Sequence, residues 1–308
     1  METVLNVEGK SKAAGKAEKY DRTGEGHQSI FWEAKTLILG IDIGGSTTDI
    51  IGFKDDEVCG FLNVEASDPL TSAAGALGKY INKHDLSLES IDHVAITGVG
   101  ASYVNKDLFH LETRRIDEFQ AVGSGGAYLT SLERAVIVSL GTGTAIVHYD
   151  RGEIKHLGGT GVGGGTLVGL GDAIMGTDDY EKLIELAEKG DLSQVDLTVG
   201  DITMDNITGL NKNITASNFG NLKKDADDED YALGIINLVY QTVGMMAVFA
   251  ARNMELNDVV LTGKLAQMKI GREVLKMLKQ TKLSPVEFHF PEKAEFSTAI
   301  GAAISSTD

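Results

Sequence analysis

Three glycine-rich runs carry the residues of this sequence best suited to chemistry. They are Gly44-Gly45-Ser46-Thr47-Thr48-Asp49, Gly141-Thr142-Gly143-Thr144 and Gly161-Val162-Gly163-Gly164-Gly165-Thr166. Each follows an apolar, strand-like stretch. Backbone N–H groups in such turns, with hydroxyls beside them, can cradle a phosphate. The third run opens a helix, whose N-terminal amides and dipole favour an anion. Before the first run Asp42 ends a strand, where it can hold Mg²⁺ directly or through water. Any one of these turns is equally a plain β-hairpin. Three in order, each after a strand, point to a nucleotide-phosphate site. None is a Walker loop, because no GxxxxGK[ST] occurs.

Phosphoryl transfer needs charge neutralisation, an aligned acceptor and, in many enzymes, a general base. Glu118, in Ile116-Asp117-Glu118-Phe119, is the candidate base. At the start of a helix it would also favour the macrodipole, a task that Asp117 could perform equally well.

The elements that must position these groups follow from hydrophobic periodicity. Leu37 to Ile43, Asp49 to Phe53 and Val58 to Val64 read as strands, with a turn at Asp55-Asp56. Leu70 to His84 has helical spacing, and Asp92 to Thr97 is another strand. A helix is expected from Asp117 to Leu132, then strands Ala135 to Leu140, Ala145 to Tyr149 and Glu153 to Leu157. Helices follow from about Thr166 and from Asp179 to Lys189, and Leu192 to Thr215 reads as mixed and loop-like. A long helix runs to about Asn253, and strand, helix, strand and a last helix from Ser297 close the chain. Each half opens with strand, glycine turn, strand. The expected organisation is a polar flexible tail over 1–35, an N-terminal α/β lobe over 36–116 and a C-terminal α/β lobe over 117–308.

Composition narrows the partners. The 308 residues carry a formal net charge of −17, which disfavours nucleic acid and anionic membrane surfaces as general partners. The single cysteine, Cys59, excludes an internal disulfide framework or a four-cysteine cluster within one chain, and reads as inert packing in a strand. The apolar stretch Tyr231 to Ala251 is interrupted by Gly234, Asn237, Gln241 and Gly244 and reads as a buried helix, with no membrane span. A cytoplasmic location is expected. The 37 glycines against 3 prolines fit clustered turns that admit a ligand close to the backbone.

The ordered set IDIGG, DEFQA, SLGTGT, GGTGVGGGTLVGLG, TASNFG and FSTAIGAA resembles the type II pantothenate kinases, of the acetate and sugar kinase, heat-shock protein 70 and actin superfamily. The similarity runs from about Leu39 to about Ala303. The resemblance implies a two-lobed actin-like ATPase fold with ribonuclease H-like duplicated lobes. It implies phosphorylation of pantothenate by Mg·ATP in coenzyme A synthesis, a homodimer built on the long helix, and an acyl-CoA feedback ligand. By the same resemblance Gly44, Gly45, Ser46, Thr47, Thr48 and Asp49 belong to the first phosphate loop. Glu118 is the base on the acceptor hydroxyl, and Thr142 contacts ATP. Gly164, Gly165, Thr166, Leu167 and Val168 line the nucleotide site, with Tyr180 near the nucleoside. The chain departs from the pattern where Asp49 replaces a Lys and His156 an Arg. Lys155, beside His156, and Lys264, after Gly263, are the candidates to supply a missing cation. These departures keep two alternatives open: a kinase of the same fold with another alcohol acceptor, and a non-catalytic nucleotide- or acyl-CoA-binding regulator. A fourth reading, an activator ATPase of radical dehydratases, needs cluster cysteines that one chain lacks.

Overall fold

A computed structural model describes residues 37–65, 68–203, 212–280 and 286–307. The expected tail over 1–35 lies outside the described residues. The described residues belong to one compact unit.

The first half contains β1 (Leu37–Ile43), β2 (Thr47–Lys54), β3 (Glu57–Glu65), α1 (Pro69–Lys83), β4 (Ile91–Thr97), β5 (Thr113–Arg115) and α2 (Glu118–Thr130). Then come β6 (Arg134–Leu140), β7 (Thr144–Asp150), β8 (Glu153–Thr160), α3 (Gly164–Met175) and α4 (Tyr180–Ala187). The short β9 (Leu197–Thr198), α5 (Val199–Ile202) and β10 (Thr215–Ser217) occupy the stretch that reads as loop-like. The chain continues through α6 (Asp228–Asn253), β11 (Asp258–Thr262), α7 (Lys269–Gln280), β12 (Glu287–His289) and α8 (Ser297–Ser305).

Two five-stranded sheets share one wiring. The first has the order β3-β2-β1-β4-β5 and the second β12-β11-β6-β7-β8. In each, an antiparallel three-strand meander is extended by two parallel strands. The tight β2–β3 turn needs positive φ at both central residues, and Asp55 and Asp56 supply it at 59° and 63°. β5 had no periodic signal, since three residues are too few to show one.

Alternation along the strands sends side chains to two faces. Leu39, Ile41 and Ile43 pack with Val94, Ile96 and Leu77 of α1 on one face of the first sheet. Ile38, Ile51 and Ala95 meet Ala299, Ile300 and Ala303 of α8 on the other. In the second sheet Val136, Val138 and Leu261 pack on α6, while Ile137, Val147 and Val260 pack on Val122 of α2. Each such buried aliphatic side chain contributes about 1.5–3 kcal/mol relative to exposure. The last helix in the sequence therefore covers the sheet formed by the first residues. It lies against α2 so closely that the two backbones nearly touch. A Cβ on Gly125 would fall 1.8 Å from the Ser297 carbonyl oxygen, and one on Gly301 would fall 1.8 Å from that of Ala121. The end of α8 is pinned to the first sheet as well: Ser306 Oγ lies 2.8 Å from His93 Nε2, and its carbonyl accepts from Arg114 at 2.9 Å.

α6 is long and apolar enough to cross a bilayer, yet most of it is buried inside the fold. Its N-terminus is held by Asp227, which accepts from the amides of Glu229 and Asp230. Midway, buried Asn237 donates to Asp196 at 2.8 Å, and Asp196 also accepts from Thr215 Oγ1 and the Phe219 amide. The TASNFG motif is thus fastened to α6 through one buried carboxylate. Cys59 departs from expectation: it is exposed, on β3 at the edge of the sheet.

Candidate active site

The three glycine turns meet. The first links β1 to β2 and is closed by Gly44 N–H donating to the Thr47 carbonyl at 3.0 Å. The second links β6 to β7 at the same place in its sheet. Ser46 Oγ and Thr142 Oγ1 lie 3.3 Å apart, and a Cβ on Gly45 would sit 3.3 Å from Thr142 Oγ1. The third clamps the second: Gly164 N–H donates to the Gly141 carbonyl and Gly165 N–H to that of Thr142, both at 2.9 Å.

That clamp revises one expectation. The first amides of α3 are spent on the second turn and do not face an anion. Thr166 is likewise occupied, its Oγ1 accepting from the Gly163 amide and donating to the Gly161 carbonyl, both at 3.2 Å. The amides of Gly45, Ser46, Thr142 and Gly143, in contrast, have no acceptor among the described residues. The donors left open sit on the first two turns, and the third fixes the geometry of the second.

A row of polar side chains crosses the first sheet beside these turns. Asp42 pairs in register with Asp49 on β2 and with Thr97 on β4, and Asp49 pairs with Asn63 on β3. Directly paired residues share a face, so this row lies on the α8 side. Asn63 Nδ2 donates to Asp49 at 2.6 Å. Thr48, its neighbour on β2, faces the other way and is fully buried. The structure does not bring Thr48 to the turn surface.

The carboxylates crowd one another. Burial, then Asp49 and then Glu118, pushes the Asp42 carboxyl up to about 8. Burial also lifts Asp49 to about 6, against the lowering effect of Asn63. Lys264, on the turn after Gly263, supplies a smaller lowering effect, and Glu295 a raising one. Glu118 is raised by burial first and by Asp117 second. Asp117 itself caps α2, accepting from the amides of Phe119 and Gln120 at 3.0 Å. The macrodipole acid is therefore Asp117, which leaves Glu118 for other work.

A pH effect follows. Asp42 ionises near the ordinary carboxyl value of 3.8 when unfolded and near 8 when folded. A raised folded pKa gives stability that is complete below the unfolded value and lost as pH rises through the folded one. Without ligands, Asp42→Asn should raise unfolding free energy by about 2 kcal/mol or more at pH 8.5 and by less at pH 5.5. Urea denaturation at the two pH values checks this, and an equal shift at both would refute it.

The remaining candidates separate. Leu167 is buried and, with Tyr180 and Ile236, lines a small apolar pocket; Val168 is half-buried beside it in α3. Tyr180 starts α4, its phenol pushed up to about 12 by burial, with Lys264 Nζ 5.1 Å from its ring centre. His156 stacks on Phe119 at 3.7 Å, which puts it beside the start of α2. Lys155 does not join it. The β7–β8 register pairs Lys155 with His148 and His156 with Val147, and adjacent strand residues point to opposite faces.

Sequence reasoning missed the Phe119 platform, the Asn63 clasp and the equivalence of the turns after β4 and β11. Those turns begin with Gly98 at φ 86° and Gly263 at φ 85°, a region that suits glycine. A Cβ on Gly98 would lie 2.3 Å from Asp42 Oδ1. The signal was present: each strand ends Thr-Gly, at Thr97-Gly98 and Thr262-Gly263.

Residues 134–305 match the family model described as Fumble. A type II pantothenate kinase of Oceanobacillus iheyensis is 30% identical over 229 residues, covering 68% of this chain and 81% of that one. One from Staphylococcus saprophyticus is 28% identical over 275 residues, covering 86% and 98%. Among solved structures, the ADPNP-bound activator of 2-hydroxyisocaproyl-CoA dehydratase from Clostridium difficile superposes with a TM-score of 0.62 at 18% identity, over 88% of this chain and 94% of that one. A ROK family glucokinase from Streptomyces griseus, in complex with glucose and AMPPNP, gives 0.57 at 10% identity over 87% and 98%. At such identities the likeness is one of fold, and it is the actin-like ATPase fold that the sequence motifs imply.

Proposed function

The chain belongs to the Fumble family, and from that premise we propose that it transfers the γ-phosphoryl group of ATP to the primary hydroxyl of pantothenate. The observation that carries this reading is the meeting of the first two glycine turns, free amides included, beside Asp42 and Glu118. Those amides and the Ser46 and Thr142 hydroxyls hold the phosphates. Glu118 takes the proton as the acceptor oxygen bonds to phosphorus, and the bond from phosphorus to the bridging oxygen breaks with its electron pair leaving on ADP.

A single carboxylate, Asp42, would hold a magnesium ion; burial and the nearby Asp49 and Glu118 raise its carboxyl, an excess of negative charge that a cation would relieve. When bound, it would neutralise phosphate charge. Lys264 is the protein cation on the opposite sheet that reaches this field. Tyr180, at the start of α4, lies near the nucleoside. A homodimer through α6, whose Phe249 is 58% exposed, an acyl-CoA feedback ligand and a cytoplasmic location belong to the same proposal.

A second reading, another alcohol as acceptor, is favoured by His156 lying flat on Phe119 beside the base. Purified protein with Mg·ATP and a panel of alcohols, followed by ADP release, tests both. Pantothenate as best acceptor supports the first reading. A better alcohol supports the second, and no ADP release above background removes both.

A further inference from the structure

The turn after β4 has no assigned role, yet the topology sets it between the two halves of the chemistry. β1, β4 and β5 are parallel neighbours in that order. Their carboxyl ends therefore lie side by side, which is where ligands settle in α/β sheets. β1 leads into the first phosphate turn and β5 leads into Glu118, so the residues after β4 are flanked by both. This turn is rigid. Ala101 N–H donates to the Gly98 carbonyl at 3.0 Å, Ser102 Oγ to the Val99 carbonyl at 3.2 Å, and Arg115 Nη2 to the Val104 carbonyl at 3.1 Å. Gly100 lies against Ile43, where a Cβ would come within 2.4 Å of Ile43 Cγ2. On this fixed turn two large apolar side chains remain outside the core: Val99 is 64% and Tyr103 65% exposed. At the equivalent place in the second sheet, the residue after the glycine is the cation Lys264. The two halves of one wiring thus present an apolar lip on the base side and a charged one on the nucleotide side.

We propose that Val99 and Tyr103 form the apolar wall of the acceptor site and select an alcohol whose hydroxymethyl group is attached to a bulky, branched aliphatic carbon. This rests on the phosphoryl-transfer reading and names what the acceptor end of that site recognises. Pantothenate, with two methyl groups on the carbon next to its hydroxymethyl, has this chemistry. A pre-formed apolar surface adds discrimination for the branched carbon that hydroxyl-binding groups cannot provide.

The test measures KM for pantothenate and for ATP in full-length Val99→Ser and Tyr103→Ser proteins. Leu88→Ser, an exposed apolar site just before β4 at its far end, is the control. Pantothenate KM should rise about tenfold in each wall variant, with ATP KM within about twofold. Preference for pantothenate over its analogue lacking the two methyl groups should fall in Val99→Ser. Leu88→Ser should move neither constant. Turnover with unaltered pantothenate KM in both wall variants overturns this inference and leaves the kinase reading standing. Absence of turnover on any alcohol by the wild-type protein overturns both.

Discussion

Replacing Glu118 by Gln is expected to lower kcat/KM for the acceptor by about 10²–10⁴-fold, because the proposed base is gone while its shape remains. Calorimetry should show ATP affinity held within about twofold, since the free amides and hydroxyls of the first two glycine turns are untouched. The pH profile carries a second signature. Glu118 must be ionised to act, and burial with Asp117 raises its pKa above the ordinary carboxylate range. Wild-type activity should therefore fall as pH drops through that raised value, and the Gln variant should lose this limb. A Gln variant with full activity would assign the proton to another group, and Asp49 would be the next to examine.

The largest structural effect is expected where α2 crosses α8. Gly125→Ala and Gly301→Ala each place a methyl group 1.8 Å from a backbone carbonyl oxygen, an approach no rotamer can relieve. The helices must separate, and the apolar contacts of Ala121, Ala299 and Ile300 open with them. Each substitution should lower unfolding free energy by more than about 3 kcal/mol, read as a fall in the urea midpoint. Gly75→Ala is the comparison, because its Cβ meets nothing within 4 Å. That exposed α1 position should gain slightly from helix propensity. A wild-type midpoint for Gly301→Ala would mean that the helices lie further apart in solution.

Much of this was legible beforehand for identifiable reasons. Leu37 to Ile43 and Ala135 to Leu140 are short, nearly continuous apolar runs, and both stop at glycine, so the turns and their equivalence were visible. The Glu118 position was visible too, because Asp117 provides a recognisable helix start. Other features depend on pairing that no local pattern records. Which way Thr48 points is set by register with Ile43 and Val64, and sequence proximity to Gly44 suggested the opposite. The capture of the α3 amides by Gly141 and Thr142 is a contact between turns more than twenty residues apart. The exposure of Cys59 follows from β3 lying at an edge, a property of sheet order alone.

The path of α8 has a consequence for synthesis. Its residues are made long after the strands it covers. A nascent chain on the ribosome can complete the α1 side of its first sheet early, but Ile38, Ile51 and Ala95 must stay uncovered until Ser297 to Ser305 clear the exit tunnel. Folding of the first sheet therefore waits for α8, and during that interval its bare face is a natural client for a holding chaperone.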